Sequence, residues 1–310
     1  MAAAAHVHSL LHVNLNSAQL ETAAAFYEQV LGLVVGMRTT PEPVDGVALG
    51  VEGYTTTLVW FFYDARGPRS APAVEMMGWI DPVVVGAAPA EPQHAGLAAV
   101  GYAVPSLADA RKRAVEGGYR IAGDAGWPLR SGERTLLRLL DNDGVVVELH
   151  EGDVASSQFS HLRLNVRDLD ASVEWYGRIG FLPANRYDDV KVTAEAVGVD
   201  DGAVVSVASL RPAGDPSLSL ELTAWSSPAV TGRPIAPAYH VGLYRIALAV
   251  DDAAAARAEL VGVLPDVPEP IWVPLPGTKL GGVTVLFLTD PDGVVVELVE
   301  RPRRAMTARG

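Results

Sequence analysis

An α+β fold of four βαβββ modules is what this sequence predicts, and three observations carry the prediction. The segment HVNLN at His12–Asn16, followed by AFYEQVLGL around Tyr27, recurs as HLRLN at His161–Asn165 and EWYGRIGF around Tyr176, at one constant offset. The blocks EMMGW (from Glu75), GLAAVGYAV (from Gly96) and DNDGVVVEL (from Asp141) recur in the same order as ELTAW (from Glu221), GLYRIALAV (from Gly242) and DPDGVVVEL (from Asp290). Self-similarity of this length marks a duplicated domain. Each half then divides again into a strand, a helix and further strands. The halves span residues 6–152 and 158–302, with a short polar linker at 151–158.

In the first module, residues 11–16 alternate as a strand. Ser17 can cap a helix with apolar positions Leu20, Ala24, Tyr27 and Leu31, stopped by Gly32. Strands follow at 57–63 and 73–79. The second module offers a strand at 98–104 and a helix at 107–116, capped by Ser106 and stopped by Gly117 and Gly118. The third has a strand at 162–166, Asp168 or Asp170 as cap, Gly180 as stop, and strands at 203–210 and 218–225. The fourth has a strand at 244–250 and an alanine-rich helix from Asp251 to about Val261. The DNDG and DPDG turns introduce the last strand of each half, with glycine supplying the positive φ such turns need.

Side chains two apart share a strand face. His12, Asn14 and Asn16 therefore oppose Val13 and Leu15, and His161, Arg163 and Asn165 oppose Leu162, Leu164 and Val166. Glu75 shares its face with Met77 and Trp79, Glu221 with Thr223 and Trp225, and Glu148 with Val146 and His150. Each sheet thus has an apolar face for helices and a second face carrying ionisable groups. Unpaired buried charge is costly, so that face calls for a metal, a ligand or water.

Composition limits the function classes. The 310 residues are 49% hydrophobic and 20% charged, a globular composition, and the net charge of −13 argues against a nucleic-acid backbone as partner. With no cysteine, disulfides and thiolate–metal sites are excluded. The start of the chain lacks a basic region and is broken by His6, His8 and His12, a poor signal peptide, and no apolar run is long enough for a membrane helix. A cytoplasmic, small-molecule-handling protein, monomer or homodimer, is the expectation. The Arg-containing tail at 301–304 reads as a solvated end.

These blocks resemble the vicinal oxygen chelate superfamily, which holds glyoxalase I, fosfomycin- and bleomycin-resistance proteins and extradiol dioxygenases. The resemblance rests on the first strand with its histidine, the FY and WY helices ending in glycine, and the DPDG ending followed by glutamate. It implies paired modules curling into two tandem domains with cupped sheets, helices outside and up to four converging ligands. Carried over position by position, it implies a metal set His12, Glu75 and Glu148 in the first half. The duplicated set is His161, Glu221 and Glu297 in the second. The family's usual third ligand falls on Ala99 and Arg245, neither of which is a metal ligand.

A divalent ion (Zn, Ni, Mn or Fe) held by one imidazole and two carboxylates, and sited in the first half, is then the expected cofactor. Glu148 and His150 are the expected proton-transfer residues. Asn14, Trp79, Trp225 and Arg245 are expected at the substrate, with Arg245 pairing a glutamate or clamping an anion. Two functions follow: a metal-dependent lyase, isomerase or dioxygenase-like enzyme acting on a small oxygen-chelating or aromatic substrate, or a metal-free protein that sequesters an aromatic, antibiotic-like molecule. His12 and His161 can also be read as cleft histidines bonded to a neighbouring carboxylate, and Trp79, Trp225, Trp127 and Trp272 as packing residues.

Overall fold

A computed structural model describes residues 7–215 and 217–306, so His6 lies outside the described residues. Four βαβββ modules follow one another. The first holds β1 (Ser9–Ser17), α1 (Leu20–Gln29), β2 (Val34–Arg38), a short β3 (Pro43–Asp45), β4 (Tyr54–Tyr63) and β5 (Ala73–Asp81). The second holds β6 (Gly96–Val104), α2 (Leu107–Glu116), β7 (Arg120–Leu129), β8 (Gly132–Leu140) and β9 (Val146–Glu151). The third holds β10 (Gln158–Asn165), α3 (Leu169–Arg178), β11 (Phe181–Val192), the short α4 (Ala194–Val197), β12 (Ala203–Pro212) and β13 (Ser219–Ser227). The fourth holds β14 (Gly242–Val250), α5 (Ala253–Leu260), β15 (Ile271–Pro274), β16 (Gly282–Thr289) and β17 (Val295–Glu300).

Helix starts follow local side-chain capping. Ser106 and Asp168 accept the backbone N–H three residues on, as expected. The cap of α5 is Asp252 and not Asp251, whose carboxylate instead takes Arg303. Ser17 does not cap α1 directly; its hydroxyl accepts from the N–H of Gln19 before the helix begins.

The modules pair across the two halves. One mixed sheet has the order β15-β16-β17-β14-β1-β5-β4-β2, joining the fourth module to the first, with β3 on β4. The other has the order β11-β12-β13-β10-β6-β9-β8-β7, joining the third to the second. The joints are antiparallel: β1 on β14, and β6 on β10. Strand alternation then sorts the side chains. Val13, Leu15, Val74 and Met76 enter a continuous core with the helices and with the corresponding faces of the other sheet. Met77 and Trp79 belong to a cluster on the opposite face.

The family-like motifs tie the modules within each half. Tyr27 of α1 donates to Asp141 of the DNDG turn (3.0 Å), and Tyr176 of α3 donates to Asp290 of the DPDG turn (3.1 Å). Both aspartates also accept backbone N–H groups of their own turn. Sheet pairing links module one to four and two to three, while these tyrosines link one to two and three to four. The four modules close into a ring. His8 is buried, with its ring on the carbonyl of Arg301, so this part of the chain is packed.

Candidate functional site

Each sheet centres on four strands whose inner faces form a cup. In the first cup, β1 supplies His12 and Asn14, β5 supplies Glu75, β14 supplies Arg245 and β17 supplies Glu297. Register explains the convergence. His12 lies opposite Ala247, and Ala247 opposite Glu297, so a small residue separates two long ones in one row. Asn14 lies beside Glu75 and donates to its Oε2 at 3.1 Å. Arg245 then bridges the carboxylates, with Nη2 2.9 Å from Glu75 Oε2 and Nε 2.5 Å from Glu297 Oε1. His12 Nε2 stands 3.4 Å from one oxygen of each glutamate and makes no hydrogen bond; Arg245 Nη1 is likewise buried without a partner among the described residues. Burial pushes the Glu297 carboxyl up, but Arg245 and His12 outweigh it and hold the group below its ordinary value.

This cup opens into a cavity of about 80 Å³, walled by Met37, Phe61, Tyr63, Val273, Leu275 and Val285. The walls come from the outer strands of both modules. The floor carries His12, Glu75, Arg245 and Glu297, and Arg301 is the further charged residue of the lining.

The second cup repeats the row and changes the charges. His161 lies opposite Gly101, and Gly101 opposite Glu148. A Cβ at Gly101 would fall 2.0 Å from the His161 ring, so only glycine admits the imidazole. His161 Nε2 is 3.1 Å from Glu148 Oε2. Arg138 Nε and Arg163 Nη2 donate to the same carboxylate at 2.8 and 2.6 Å. Burial raises the Glu148 carboxyl, but the two guanidiniums and His161 reverse that and hold it far below the usual range. Both arginines lie over the ring of the fully buried Trp127, at 3.8 Å (Arg163) and 4.7 Å (Arg138). Glu221 is turned to the hydroxyls of Ser209 and Ser219, each at 2.5 Å.

The expected ligand sets are therefore not assembled. Glu148 does not join His12 and Glu75, because β9 belongs to the other sheet; Glu297 takes that place. Glu297 in turn does not join His161 and Glu221, and the second cup receives Glu148. Arg245, expected to act in the second half alone, sits beside His12 from the first. His150 stands at the edge of the second cup, its ring 6.0 Å from that of His161 and its Nε2 3.3 Å from the Ser160 hydroxyl, which reaches His161 in turn. Burial and the nearby His161 lower the His150 pKa to about 4. Asn14 orients Glu75 and does not line the cavity.

The donor sets do not fit a divalent ion. Among the described residues, no group of three or more His, Asp and Glu side chains is arranged to hold one. In the first cup both glutamates already neutralise a buried guanidinium. A dication about 4 Å from that guanidinium would meet a repulsion of roughly 8 kcal/mol at an effective dielectric of about 20. In the second, Glu148 already has three partners, two of them guanidiniums, and Ala99 supplies no ligand.

The two tryptophans that end the EMMGW and ELTAW blocks share one role. The indole N–H of Trp79 donates to Asn16, and that of Trp225 to Asn165, both at 2.9 Å. Asn16 in turn donates to the carbonyls of Ala238 and His240, and Asn165 to those of Pro92 and His94. Each Asn–Trp pair thus fastens the loop that precedes the module paired with it in the sheet. Trp225 also lines a cavity described below; Trp79 packs against Tyr239. The arginines at 138 and 163 are the functional-site residues that sequence reasoning passed over. The available signal was Arg163 on the face of His161; Arg138 shared no repeated block.

Comparisons with known proteins agree with this architecture. In sequence, no curated protein matches the chain. Among solved structures, glyoxalase I from Zea mays is similar over 94% of this chain and 92% of its own, with a TM-score of 0.68 and 18% identity. A putative dioxygenase from Bacillus subtilis subsp. subtilis str. 168 is similar over 96% and 86%, with a TM-score of 0.64 and 15% identity. At such identities the likeness is one of fold. The family model for the Glyoxalase/Bleomycin resistance protein/Dioxygenase superfamily matches residues 9–149 and again 158–298, nearly the whole chain, and the protein belongs to that superfamily.

Proposed function

We propose that the first cup is a working site that binds a small, mainly apolar carbonyl compound and transfers a proton on it without a divalent metal. The observation that carries this reading is the floor of that cup: a buried guanidinium held by Glu75 and Glu297 beside an imidazole nitrogen with no hydrogen bond. A fixed guanidinium can stabilise negative charge as it develops on a substrate oxygen. His12 is the group placed to take a proton from the neighbouring carbon and return it, while Glu75 and Glu297 favour the imidazolium so formed. Asn14 keeps Glu75 turned toward the floor. The cavity volume, about 80 Å³, suits a ligand of few heavy atoms. Lyase or isomerase chemistry is thus favoured over dioxygenase-like chemistry for this chain.

The test is proton–deuterium exchange at the α-carbon of small α-hydroxyketones and 1,2-diketones, followed by NMR in the presence of EDTA. Exchange that survives the chelator and falls at least about a hundredfold in His12→Gln supports the reading. Exchange that requires a bound metal ion would overturn it. Tight binding with no exchange would point to a sequestering protein instead.

A further inference from the structure

Beside the second cup lies a cavity of about 330 Å³, larger than that of the first cup. Its polar lining holds Arg138 and Arg163 at depth with Glu148 between them, together with Arg120, Asn165, His94 and Glu91, whose carboxylate accepts from the Thr231 hydroxyl. Leu97, Leu140, Val146 and Trp225 form apolar walls, and Ala98 and Ala99 leave the space open. The short helix α4 packs on β7 and closes one side with Val197 and Gly198.

The charges here are unbalanced locally. Glu148 satisfies one nitrogen of each arginine, but Arg138 Nη1, Arg138 Nη2 and Arg163 Nε are buried without a hydrogen-bond partner among the described residues. Both arginines are at least nine-tenths buried, at 6% and 4% exposure. A desolvated donor without a partner costs several times the net worth of an ordinary hydrogen bond, and more when it is charged. Glu221, the next carboxylate, has its oxygens on Ser209 and Ser219. The deficit is therefore one of acceptors.

We propose that this cavity is a second binding site, which takes a small organic acid with its carboxylate toward Arg138 and its apolar body against Trp225. A guanidinium offers paired donors in the fork geometry that a carboxylate matches. The volume decides the size class: a cavity of roughly 150 Å³ holds a benzene, so 330 Å³ accommodates a ring with a carboxylate attached. The site shares no floor residue with the first cup, and it does not depend on the chemistry assigned there.

Benzoate is the probe, with benzamide as its uncharged isostere, both titrated into the full chain by calorimetry and tryptophan fluorescence. Benzoate is expected to bind at least about tenfold more tightly than benzamide, and Arg138→Gln to remove that preference. Ala98→Leu narrows the cavity without touching a charge and is expected to weaken benzoate too, which keeps the test open should Arg138→Gln fold poorly. His12→Gln is expected to leave benzoate binding unchanged. Equal binding of the two probes, no heat at about 10 mM benzoate, or loss of binding in His12→Gln but not in Ala98→Leu would each overturn the assignment.

Discussion

The two cups are the same fold read with different side chains. In both, a histidine and a glutamate lie in one row across three strands, separated by Ala247 in one and Gly101 in the other. In the first, one arginine serves two glutamates and leaves an imidazole nitrogen unbonded. In the second, two arginines serve one glutamate, the imidazole is bonded, and guanidinium nitrogens are left over. The lesson is that position in a duplicated fold fixes where charge gathers, and the balance of cations to carboxylates fixes what is missing. Among the described residues, the first cup is left with an unbonded imidazole nitrogen and Arg245 Nη1, the second with Arg138 Nη1, Arg138 Nη2 and Arg163 Nε.

The largest effect separates the cups by stability. Arg245→Met strands two buried carboxylates, whereas Arg163→Met leaves Glu148 with Arg138 and His161. Removing one partner of a buried pair costs about 3–5 kcal/mol. Denaturant unfolding should therefore place Arg245→Met near the upper end and Arg163→Met clearly below it. Equal losses would deny the difference in charge balance. Next come the loop clamps: Asn16→Ala and Asn165→Ala each strand an indole N–H and two carbonyls, and each should cost about 2–3 kcal/mol by the same measurement. A cost in one alone would show that the loops are not fastened alike. Tyr27→Phe and Tyr176→Phe should each cost about 1 kcal/mol and match one another, since both remove a single hydroxyl from a buried aspartate that keeps its backbone donors.

The last effect is a pH dependence at His150, at the edge of the second cup. His150 has a lowered pKa, about 4 in the folded chain against an ordinary value near 6.5. Between these values the unfolded chain binds a proton that the folded chain does not, so this residue's contribution to stability falls as pH drops through that window. The slope is at most about 1.4 kcal/mol per pH unit. His150→Gln should flatten it, and an unchanged slope between pH 6.5 and 4 would remove His150 from the account.

Much of the fold was legible in the chain because repeated blocks report packing. Tyr27 and Tyr176 recur since each must reach an aspartate, and Asn16 and Asn165 recur since each must hold an indole. The alternation of His12 and Asn14 against Val13 and Leu15 named the cup face correctly. The grouping of residues into cups was not legible. A repeat of halves leads to the assumption that each half closes on itself, yet the antiparallel joints of β1 with β14 and β6 with β10 exchange the partners. Strand pairing at that sequence distance leaves no local pattern. Arg138 was invisible as a site residue, and Arg163 showed only as a neighbour on the His161 face, for a related reason: their meaning depends on Glu148 and Trp127, which only the tertiary structure brings near. Trp79 was expected at a ligand, and its indole is instead committed to Asn16.

Arg245 stands in the first cup as a built-in cation on Glu75 and Glu297, at the position where the resemblance to the superfamily implies the third metal ligand. Elemental analysis of the wild-type chain and of Arg245→His, each incubated with Zn²⁺ or Ni²⁺ and then desalted, tests it most directly. The account predicts no retained metal in the wild type and about one ion per chain in the variant, where His12, Glu75 and Glu297 gain a fourth ligand and lose the competing charge. Stoichiometric metal in the wild type, lost on His12→Gln or Glu297→Gln, would contradict it.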